Sequence, residues 1–408
     1  MTTPTPALTQ RPGDPESPPL AGRVAGSGSS TLVHLLELSA RPEVISFAVG
    51  LPDPELFDVA GLRRCFDAAL TGPGAGANLQ YSATPGIRPL REAAAARLTD
   101  QGLPTSGEEI LVTTGSQQAL TLAALLLFDP GDVVLVEEPT YLSAIEPFRL
   151  VGARCVPVAS DDDGIVPEAL EEALRTHRPR ALYVVPTFAN PTGRTLPVAR
   201  RAQVARLVAE HDVWLIEDEP YAQLRYDGEA LLPISADPLV AGRSLYLGTF
   251  SKIGCPGLRI GWMRVPVAVM PQLGSIKQAV DMHTSTLDQA AAALYLTGED
   301  LDGHVAAMCA AYRPRRDAML AALPDVLPPG STWSEPEGGM FVWARLPEGY
   351  DSTALLARAL EQEVAFVPGT PFYASDPDPR TLRMCFSTYG PPVIAEGMRR
   401  LGAVFSSA

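Results

Sequence analysis

The basic residues of this chain are almost all arginine. Among 32 Lys and Arg residues, only Lys252 and Lys277 are lysines. Arginine serves surface charge and solubility, but its guanidinium stays protonated near neutral pH and cannot act as an amine nucleophile. A lysine kept against this bias is therefore a candidate for amine chemistry. Lys252 follows a predicted strand, whereas Lys277 lies in a predicted helix and is expected at the surface.

The segment around Lys252 combines an amine with phosphate-binding groups. Hydroxyls at Thr249 and Ser251 flank the lysine, and Arg259 follows seven residues later. A lysine desolvated beside other cations has a lowered pKa and can form a Schiff base with a carbonyl. Hydroxyls and a guanidinium suit a phosphate monoester. Neither lysine has the Gly before and Ser/Thr after it that a Walker A loop requires, which argues against an NTPase. An ordinary strand-to-loop turn is the plain alternative.

Two other segments offer an anion site and a fixed amide. In ThrThrGlySerGlnGlnAlaLeu (113–120) a strand ends, a glycine follows, and Ser116 and Gln117 begin a helix. Free N–H groups at a helix N-terminus bind anions, although Ser is also a common N-cap without a ligand. In ProThrPheAlaAsnProThrGly (186–193), Asn190 can present an amide at fixed geometry, or simply form an Asn-Pro turn.

A buried strand ends in three acids and a tyrosine, TrpLeuIleGluAspGluProTyr (214–221). Successive strand residues point to opposite faces, so at most two of the acids share a side. A solvated strand end or a Mg²⁺ site is one interpretation. In another, Asp218 pairs with a protonated heteroaromatic nitrogen, and Tyr221 reaches a phenolic oxygen of the same ring. A Schiff-base lysine, a phosphate cradle, a carboxylate for a pyridinium and donors for a phenolate together indicate pyridoxal 5′-phosphate.

The surrounding pattern predicts the scaffold that must position these groups. Short β-branched runs alternate with segments of helical period, which is typical of βαβ units and a mainly parallel sheet. The predicted strands are 110–113, 133–136, 182–185, 213–216 and 245–247, and the predicted helices are 116–128, 167–176, 196–210 and 271–296. Ligands of such sheets bind beyond the carboxyl ends of the strands, where the segments above lie.

The order of elements changes after about residue 300. A helix (305–323), strands (341–345, 364–367 and 382–386) and a closing helix (392–404) predict a smaller α+β domain. We expect a large domain over 50–295 and a small domain over 296–408. Residues 31–49 are expected to pack on the small domain, and the Pro/Gly/Ser-rich residues 1–30 are expected to be a disordered arm.

From about residue 45 to 405 the chain resembles the fold-type I pyridoxal-phosphate aminotransferases of class I/II. Within them it is most similar to the branch of 2-aminoadipate and kynurenine aminotransferases. The resemblance is carried by GlyLeuProAspProGluLeuPhe (50–57), GlnTyrSerAlaThrProGly (80–86), AsnProThrGly (190–193), the Lys252–Arg259 block and LeuArgMetCysPheSer (382–387). It implies an α/β fold with a mainly parallel, seven-stranded sheet between helices and a smaller α+β C-terminal domain.

The resemblance also implies roles for single residues. Lys252 would hold the cofactor as a Schiff base and move a proton between the substrate Cα and the cofactor, Asp218 would keep the pyridine nitrogen protonated, and Tyr141 would stack on the ring. Asn190 and Tyr221 would bind the ring oxygen, and Arg383 would bind the substrate carboxylate beside Asn190 and Gly50. The phosphate would be held by Ser116, Gln117, Thr249, Ser251 and Arg259, with Tyr81 reaching it from the neighbouring subunit of a homodimer.

The implied activity is transfer of the amino group of an L-amino acid to a 2-oxo acid by a ping-pong mechanism. Relatives usually carry two glycines where this chain has Val49-Gly50. The bulk of Val49 near the substrate favours a hydrophobic or aromatic donor over the long-chain acids of that branch. A pyridoxal-phosphate lyase or an oxidative deaminase or decarboxylase of specialised metabolism, built on the same residues, is the alternative.

Composition excludes several other classes of protein. The formal net charge of −15 argues against nucleic-acid and anionic-membrane partners, which need a basic face. The longest apolar run, 119–128, is too short for a membrane span, and the first 20 residues have no signal-peptide core. Because the 5 cysteines form no CxxC pair, we expect no disulfide framework and no metal site, and a cytoplasmic enzyme.

Overall fold

The computed structural model describes residues 21–24 and 41–406. Most of the predicted arm over 1–30 and residues 31–40 of the predicted segment over 31–49 therefore lie outside the described residues. No helix in the described part of the chain is long and apolar enough to cross a membrane.

The described residues form strands and helices in alternation, as the hydrophobic pattern predicts. The strands, β1 to β14 in chain order, are Ile45–Ser46, Ile110–Thr113, Val133–Glu138, Arg154–Asp161, Gly164–Ile165, Ala181–Val184, Trp214–Asp218, Ser244–Thr249, Gly261–Arg264, Thr332–Trp333, Phe341–Arg345, Val364–Ala365, Val367–Pro368 and Thr381–Cys385. The α-helices, α1 to α12, are Val59–Thr71, Ala75–Asn78, Arg88–Asp100, Ser116–Leu127, Leu142–Leu150, Pro167–His177, Val198–Glu210, Met270–Val280, Thr286–Gly298, Leu301–Val326, Ser352–Glu361 and Pro391–Ser406.

The central sheet has the strand order β2-β9-β8-β7-β6-β3-β4-β5. The pairs from β8 through β4 are parallel, β9 is antiparallel to both of its neighbours, and β5 is a two-residue edge strand antiparallel to β4. The prediction of a mainly parallel sheet is confirmed. Its seven predicted strands correspond to the seven longer ones, to which the short β5 adds an eighth.

Alternation along the strands buries both faces of this sheet. In β3, Val134 and Val136 pack in one cluster with helix α4, whereas Val133 and Leu135 pack in another with α6 and α7. Because successive strand side chains point to opposite faces, a continuous apolar run supplies both layers. Burying one such Leu or Val side chain stabilises the fold by roughly 1.5–3 kcal/mol.

A second, antiparallel sheet of order β10-β11-β14-β13 forms in the C-terminal part of the chain. The described N-terminal residues reach this part, because β1 pairs in parallel with β12, joining Ile45 to Val364 and Ser46 to Ala365. The domain boundaries at residues 50 and 295 stay a prediction.

The predicted helix over 271–296 is wrong. The structure has two helices there, α8 and α9, separated by Asp281–Ser285. Met282 in this linker adopts a positive φ of 65°, which a continuous helix does not allow. Helices α8 and α9 have similar hydrophobic patterns, and the linker between them contains no Gly or Pro, so the sequence does not indicate the break.

Candidate active site

The segments singled out by the sequence meet in one cavity at the carboxyl edge of the central sheet. The cavity has a volume of about 280 Å³. Of the predicted site residues it is lined by Gly50, Ser116, Gln117, Tyr141, Asn190, Asp218, Tyr221, Thr249, Ser251, Lys252, Arg259 and Arg383. The parallel strands explain this convergence, since their carboxyl ends share one edge. Tyr81 does not line the cavity of its own chain.

Lys252 lies just beyond the end of β8 and is held away from solvent. Its Nζ donates a hydrogen bond to the backbone carbonyl of Gly50 at 3.1 Å. Burial lowers the pKa of Lys252 to about 8, with Arg383 and Arg259 acting in the same direction and Cys385 opposing them. A substantial fraction of the amine is therefore neutral, and nucleophilic, near physiological pH.

Asp218 is the last residue of β7 and is fully enclosed. The hydroxyl of Tyr183 donates to Asp218 Oδ2 at 2.9 Å, while Oδ1 is buried without a hydrogen-bond partner. Burial raises the pKa of Asp218 to about 7, and the Tyr183 hydrogen bond partly opposes this. A buried carboxylate oxygen left without a partner is costly. It suits a cationic N–H group entering the cavity.

The two acids beside Asp218 point to the other face of the sheet, as strand alternation predicts. Glu217 accepts hydrogen bonds from the backbone N–H groups of Ile234 and Ser235, each at 2.7 Å. Glu219 accepts one from the Thr187 hydroxyl at 2.7 Å. Both acids are structural here, and no group of three His, Cys, Asp or Glu among the described residues is placed to hold a metal ion.

The predicted phosphate cradle is a glycine turn beneath an arginine. Gly115 has a φ of 77° and precedes helix α4, and a Cβ at this position would collide with the guanidinium of Arg259. Only glycine fits this approach. The first N–H groups of α4 have no acceptor within the helix, so they face the cavity as an anion site.

Hydroxyls and an amide complete this side of the cavity. Thr249 and Ser251 lie next to Lys252, with their hydroxyl oxygens 3.0 Å apart. The side-chain amide of Gln117 donates to the carbonyl of Ser143 at 2.8 Å. Gln117 therefore offers its backbone N–H to an anion and uses its side chain to tie α4 to the segment that carries Tyr141.

The opposite wall comes from the C-terminal sheet. Arg383 in β14 donates from Nη1 to Asn190 Oδ1 at 2.7 Å and from Nη2 to the carbonyl of Ala48 at 2.6 Å. Its Nε is buried without a partner, and its guanidinium lies 4.3 Å from the ring centre of Phe341. Burial lowers the pKa of Arg383. Such a cation favours an incoming carboxylate.

Aromatic rings define the remaining surfaces of the cavity. Tyr141 is the N-cap residue of α5, and burial raises the pKa of its phenol and that of Tyr221, so both remain neutral donors. The ring of Tyr221 meets that of Phe341 edge to face at 5.7 Å. Phe341 also excludes any side chain at Gly50, whose Cβ would collide with the ring.

Tyr81 lies away from these groups. Its side chain is 77% exposed, and its ring meets His283 edge to face at 5.6 Å. The structure therefore does not bring Tyr81 together with the other predicted residues within one chain. This placement is compatible with a role in a neighbouring subunit.

Tyr183, Phe341 and Leu142 are among the site residues that the sequence analysis missed. Tyr183 bonds Asp218, Phe341 packs on Arg383, and Leu142 lines the cavity. A signal existed for Tyr183, because a tyrosine inside the otherwise aliphatic strand AlaLeuTyrVal (181–184) needs a partner for its hydroxyl. No comparable signal marks Phe341 or Leu142, whose spacing resembles that of ordinary core residues.

The prediction that Lys277 lies at the surface is wrong. Its side chain is 0% exposed and forms an ion pair with Asp281 at 2.8 Å. An ammonium is buried only where its donors are satisfied, which depends on contacts distant in sequence.

The residues present fit pyridoxal 5′-phosphate. The cavity contains a partly buried amine, an unpartnered carboxylate oxygen, an anion site at a helix N-terminus and a second cation for a carboxylate. These requirements match a carbonyl, a protonated pyridine nitrogen, a phosphate and an amino-acid substrate, respectively.

Comparisons with known proteins agree with this geometry. The model of the family "Aminotransferase class I and II" matches residues 67–401. An aromatic-amino-acid aminotransferase of Thermococcus litoralis is 41% identical over 93% of this chain and 92% of its own. A 2-aminoadipate transaminase of Thermus thermophilus is 40% identical over 94% of each chain. A Pyrococcus horikoshii kynurenine aminotransferase, solved with PMP, superposes with a TM-score of 0.90 at 38% identity, covering 95% of this chain and 97% of that one.

The chain belongs to the class I and II aminotransferases. It is a pyridoxal-phosphate-dependent enzyme with the fold-type I architecture, and the predicted family, activity and cofactor are confirmed.

The lowered pKa of Lys252 predicts how covalent attachment of the cofactor depends on pH. The neutral amine attacks the aldehyde, so the attachment rate of added pyridoxal phosphate should rise with pH and level off above about 8. Borohydride trapping from about pH 6 to about pH 10 measures this rate. Lys252→Ala is the control without attachment, and a rate that rises only near the pKa of free lysine would contradict the prediction.

Tyr183→Phe tests the hydrogen bond to Asp218. Because this bond favours the ionised carboxylate, its loss should raise the pKa of Asp218 and move the acidic limb of the kcat profile to higher pH. We expect a loss of about tenfold in kcat near neutral pH. Tyr295→Phe, which removes a buried hydroxyl from Asp58 outside the cavity, is the matched control. An unshifted acidic limb in Tyr183→Phe would disprove the role.

Proposed function

We propose that this aminotransferase takes the amino group from aromatic and other hydrophobic L-amino acids. The proposal rests on the number of cations that line the cavity and on the group that each of them would bind. The cavity-lining cations among the described residues are Lys252, Arg259 and Arg383. Each has its own task at the cofactor carbonyl, the phosphate or the substrate carboxylate, which leaves none of them for a second carboxylate on the substrate.

Apolar side chains form the wall that a substrate side chain would meet. Val49, Leu51, Leu142 and Phe341 line the cavity. Burial of apolar area against such a wall favours an aromatic or aliphatic substituent, whereas an unpaired carboxylate would lose its hydration. The aromatic-amino-acid aminotransferase at 41% identity supports this preference.

The roles of the site residues follow from their chemistry. Bound pyridoxal phosphate supplies a conjugated electron sink for a carbanion at the substrate Cα. Lys252 Nζ would hold the cofactor carbonyl and, when free, would take the proton from the substrate Cα as a general base. The ionised Asp218 Oδ1 would hold the pyridine N–H. Tyr221 and the Asn190 amide nitrogen would donate to the ring oxygen, and Tyr141 would pack against the ring.

Arg383 orients the substrate for this proton transfer. Its guanidinium is buried and fixed by Asn190, Ala48 and the Phe341 ring, so little freedom is lost when it binds the α-carboxylate. Lys252 would also return the proton. The cofactor would keep the amino group when the first 2-oxo acid leaves, and Arg383 would bind the second 2-oxo acid that accepts it.

The enzyme is proposed to act as a cytoplasmic homodimer. Tyr81 is exposed and does not line its own cavity, which supports a contribution to the phosphate site of a neighbouring subunit. The five cysteines are free thiols, which supports a reducing compartment.

Single-turnover absorbance changes with donor alone test the substrate class. We expect phenylalanine and leucine to convert the bound cofactor at least about tenfold faster, per concentration, than 2-aminoadipate. Val49→Gly should reduce this ratio about tenfold, because it removes an apolar contact and makes room for a longer chain. Both donors are measured on the same preparation of each variant. A partial loss of folded protein therefore lowers both rates equally and leaves their ratio unchanged.

Equal rates for phenylalanine and 2-aminoadipate in the unmodified enzyme would contradict the substrate class. The same experiment tests the reaction type. Transamination without an acceptor stops after one 2-oxo acid per subunit, whereas a lyase or oxidative deaminase continues to release ammonia.

Subunit complementation tests Tyr81. A heterodimer of Tyr81→Ala and Lys252→Ala chains has one site with both groups intact if Tyr81 acts across the interface. It should recover about half of the wild-type activity per dimer, whereas neither homodimer does. Differently tagged chains allow the heterodimer to be purified. No recovery in the heterodimer would disprove the shared site.

A further inference from the structure

Lys277 is a buried cation that the reaction does not use. It is the second of only two lysines and lies in the last turn of helix α8. Its side chain is completely enclosed, and it does not line the active-site cavity. Burying an ammonium is expensive unless all its donors are used, so its contacts indicate its role.

The three N–H donors of Lys277 are all satisfied. Nζ donates to Gln118 Oε1 at 2.5 Å, to Asp281 Oδ2 at 2.8 Å and to Thr284 Oγ1 at 3.0 Å. These acceptors come from helix α4 and from the linker between α8 and α9. A compact, tetrahedral ammonium suits three acceptors converging on one point, whereas the planar guanidinium of arginine does not.

The network continues directly into the turn that forms the phosphate cradle. Gln118 Oε1 also accepts the backbone N–H of Thr114 at 2.8 Å, and Gln118 Nε2 donates to Asp281 Oδ2 at 2.6 Å. The Thr114 hydroxyl donates to Asp281 Oδ2 at 3.1 Å. Thr114 precedes Gly115, whose left-handed backbone starts α4 beneath Arg259.

We propose that Lys277 is a positioning residue that, through Gln118 and Asp281, holds the turn Thr114–Gln117 in the conformation that binds the cofactor phosphate. The inference rests on the proposed phosphate site at Ser116, Gln117 and Arg259, and adds what keeps that site formed before the cofactor arrives. Preorganised donors lose less freedom on binding, so the network contributes to affinity for the phosphate without touching it.

Without the ammonium, Gln118, Asp281 and Thr284 no longer share a common hydrogen-bond donor. Gln118 Oε1 and Asp281 lose their cation, and the Thr114 turn is held only by its remaining bonds to Gln118 and Asp281. The consequence is specific: affinity for the phosphate group should fall, while affinity for the ring and aldehyde should not.

Binding of pyridoxal phosphate and of pyridoxal, which lacks the phosphate, separates these effects. The full-length enzyme, freed of cofactor, is titrated with each compound by absorbance, and the ratio of the two Kd values is the phosphate preference. We expect Lys277→Met to reduce this preference about tenfold. Gln118→Met should reduce it in the same direction, since it leaves the pair Lys277–Asp281 intact but removes the bonds from Gln118 to that pair and to the Thr114 N–H.

Two controls make the outcome decisive. Arg264→Met removes another buried cation, paired with Glu109 at 2.9 Å at the far end of β9, and should lower stability without changing the phosphate preference. Arg259→Met should reduce the preference, because Arg259 is proposed to bind the phosphate itself.

Each result supports or overturns the proposal. If Lys277→Met and Gln118→Met lower the affinities for pyridoxal phosphate and pyridoxal by equal factors, the network is merely structural and the proposal is overturned. Should Lys277→Met fail to fold, an unchanged preference in Gln118→Met overturns it as well. An unchanged preference in Arg259→Met as well would instead overturn the proposed phosphate site, which distinguishes the two failures.

Discussion

The site depends on removing one amine and one carboxyl group from water at the same edge of a sheet. Burial brings the pKa of Lys252 down to about 8 and that of Asp218 up to about 7. Each group is thereby poised between its charged and neutral forms near physiological pH. A neutral amine is a nucleophile, and a buried carboxyl group with one unpartnered oxygen favours a cation.

The Lys252 amine and the Asp218 carboxyl group can be buried because the sheet is covered on both faces. Parallel strands end together, and helices on either side exclude water from the strand ends. Because side chains alternate between the two faces of a strand, neighbouring acids of β7 face different surroundings and have different roles. Asp218 faces the cavity, while Glu217 and Glu219 face the other side, where backbone N–H groups and a threonine hydroxyl bind them.

The C-terminal sheet completes the cavity by contributing a guanidinium and an aromatic ring. Arg383 bridges Asn190, in the loop after β6, and Ala48 of the N-terminal segment. Phe341 packs against Arg383 and leaves room only for glycine at position 50. The proposed substrate site thus depends on how three distant parts of the chain meet, and the residues proposed to bind substrate also join these parts.

The family, the parallel sheet and most of the polar residues that line the cavity could be predicted from the sequence. Local patterns encode them: apolar runs of strand length, a glycine before a helix, and a lysine near hydroxyls. Local pattern did not reveal the break at Asp281–Ser285, the burial of Lys277 or the partner of Tyr183. Those properties arise only when α8 packs beside α4 and β6 beside β7, since a side chain's burial and hydrogen-bond partners are set by residues far away in the chain. The sequence by itself determined which chemistry is possible. The tertiary structure decided which groups are buried, which are hydrogen-bonded and which face the cavity.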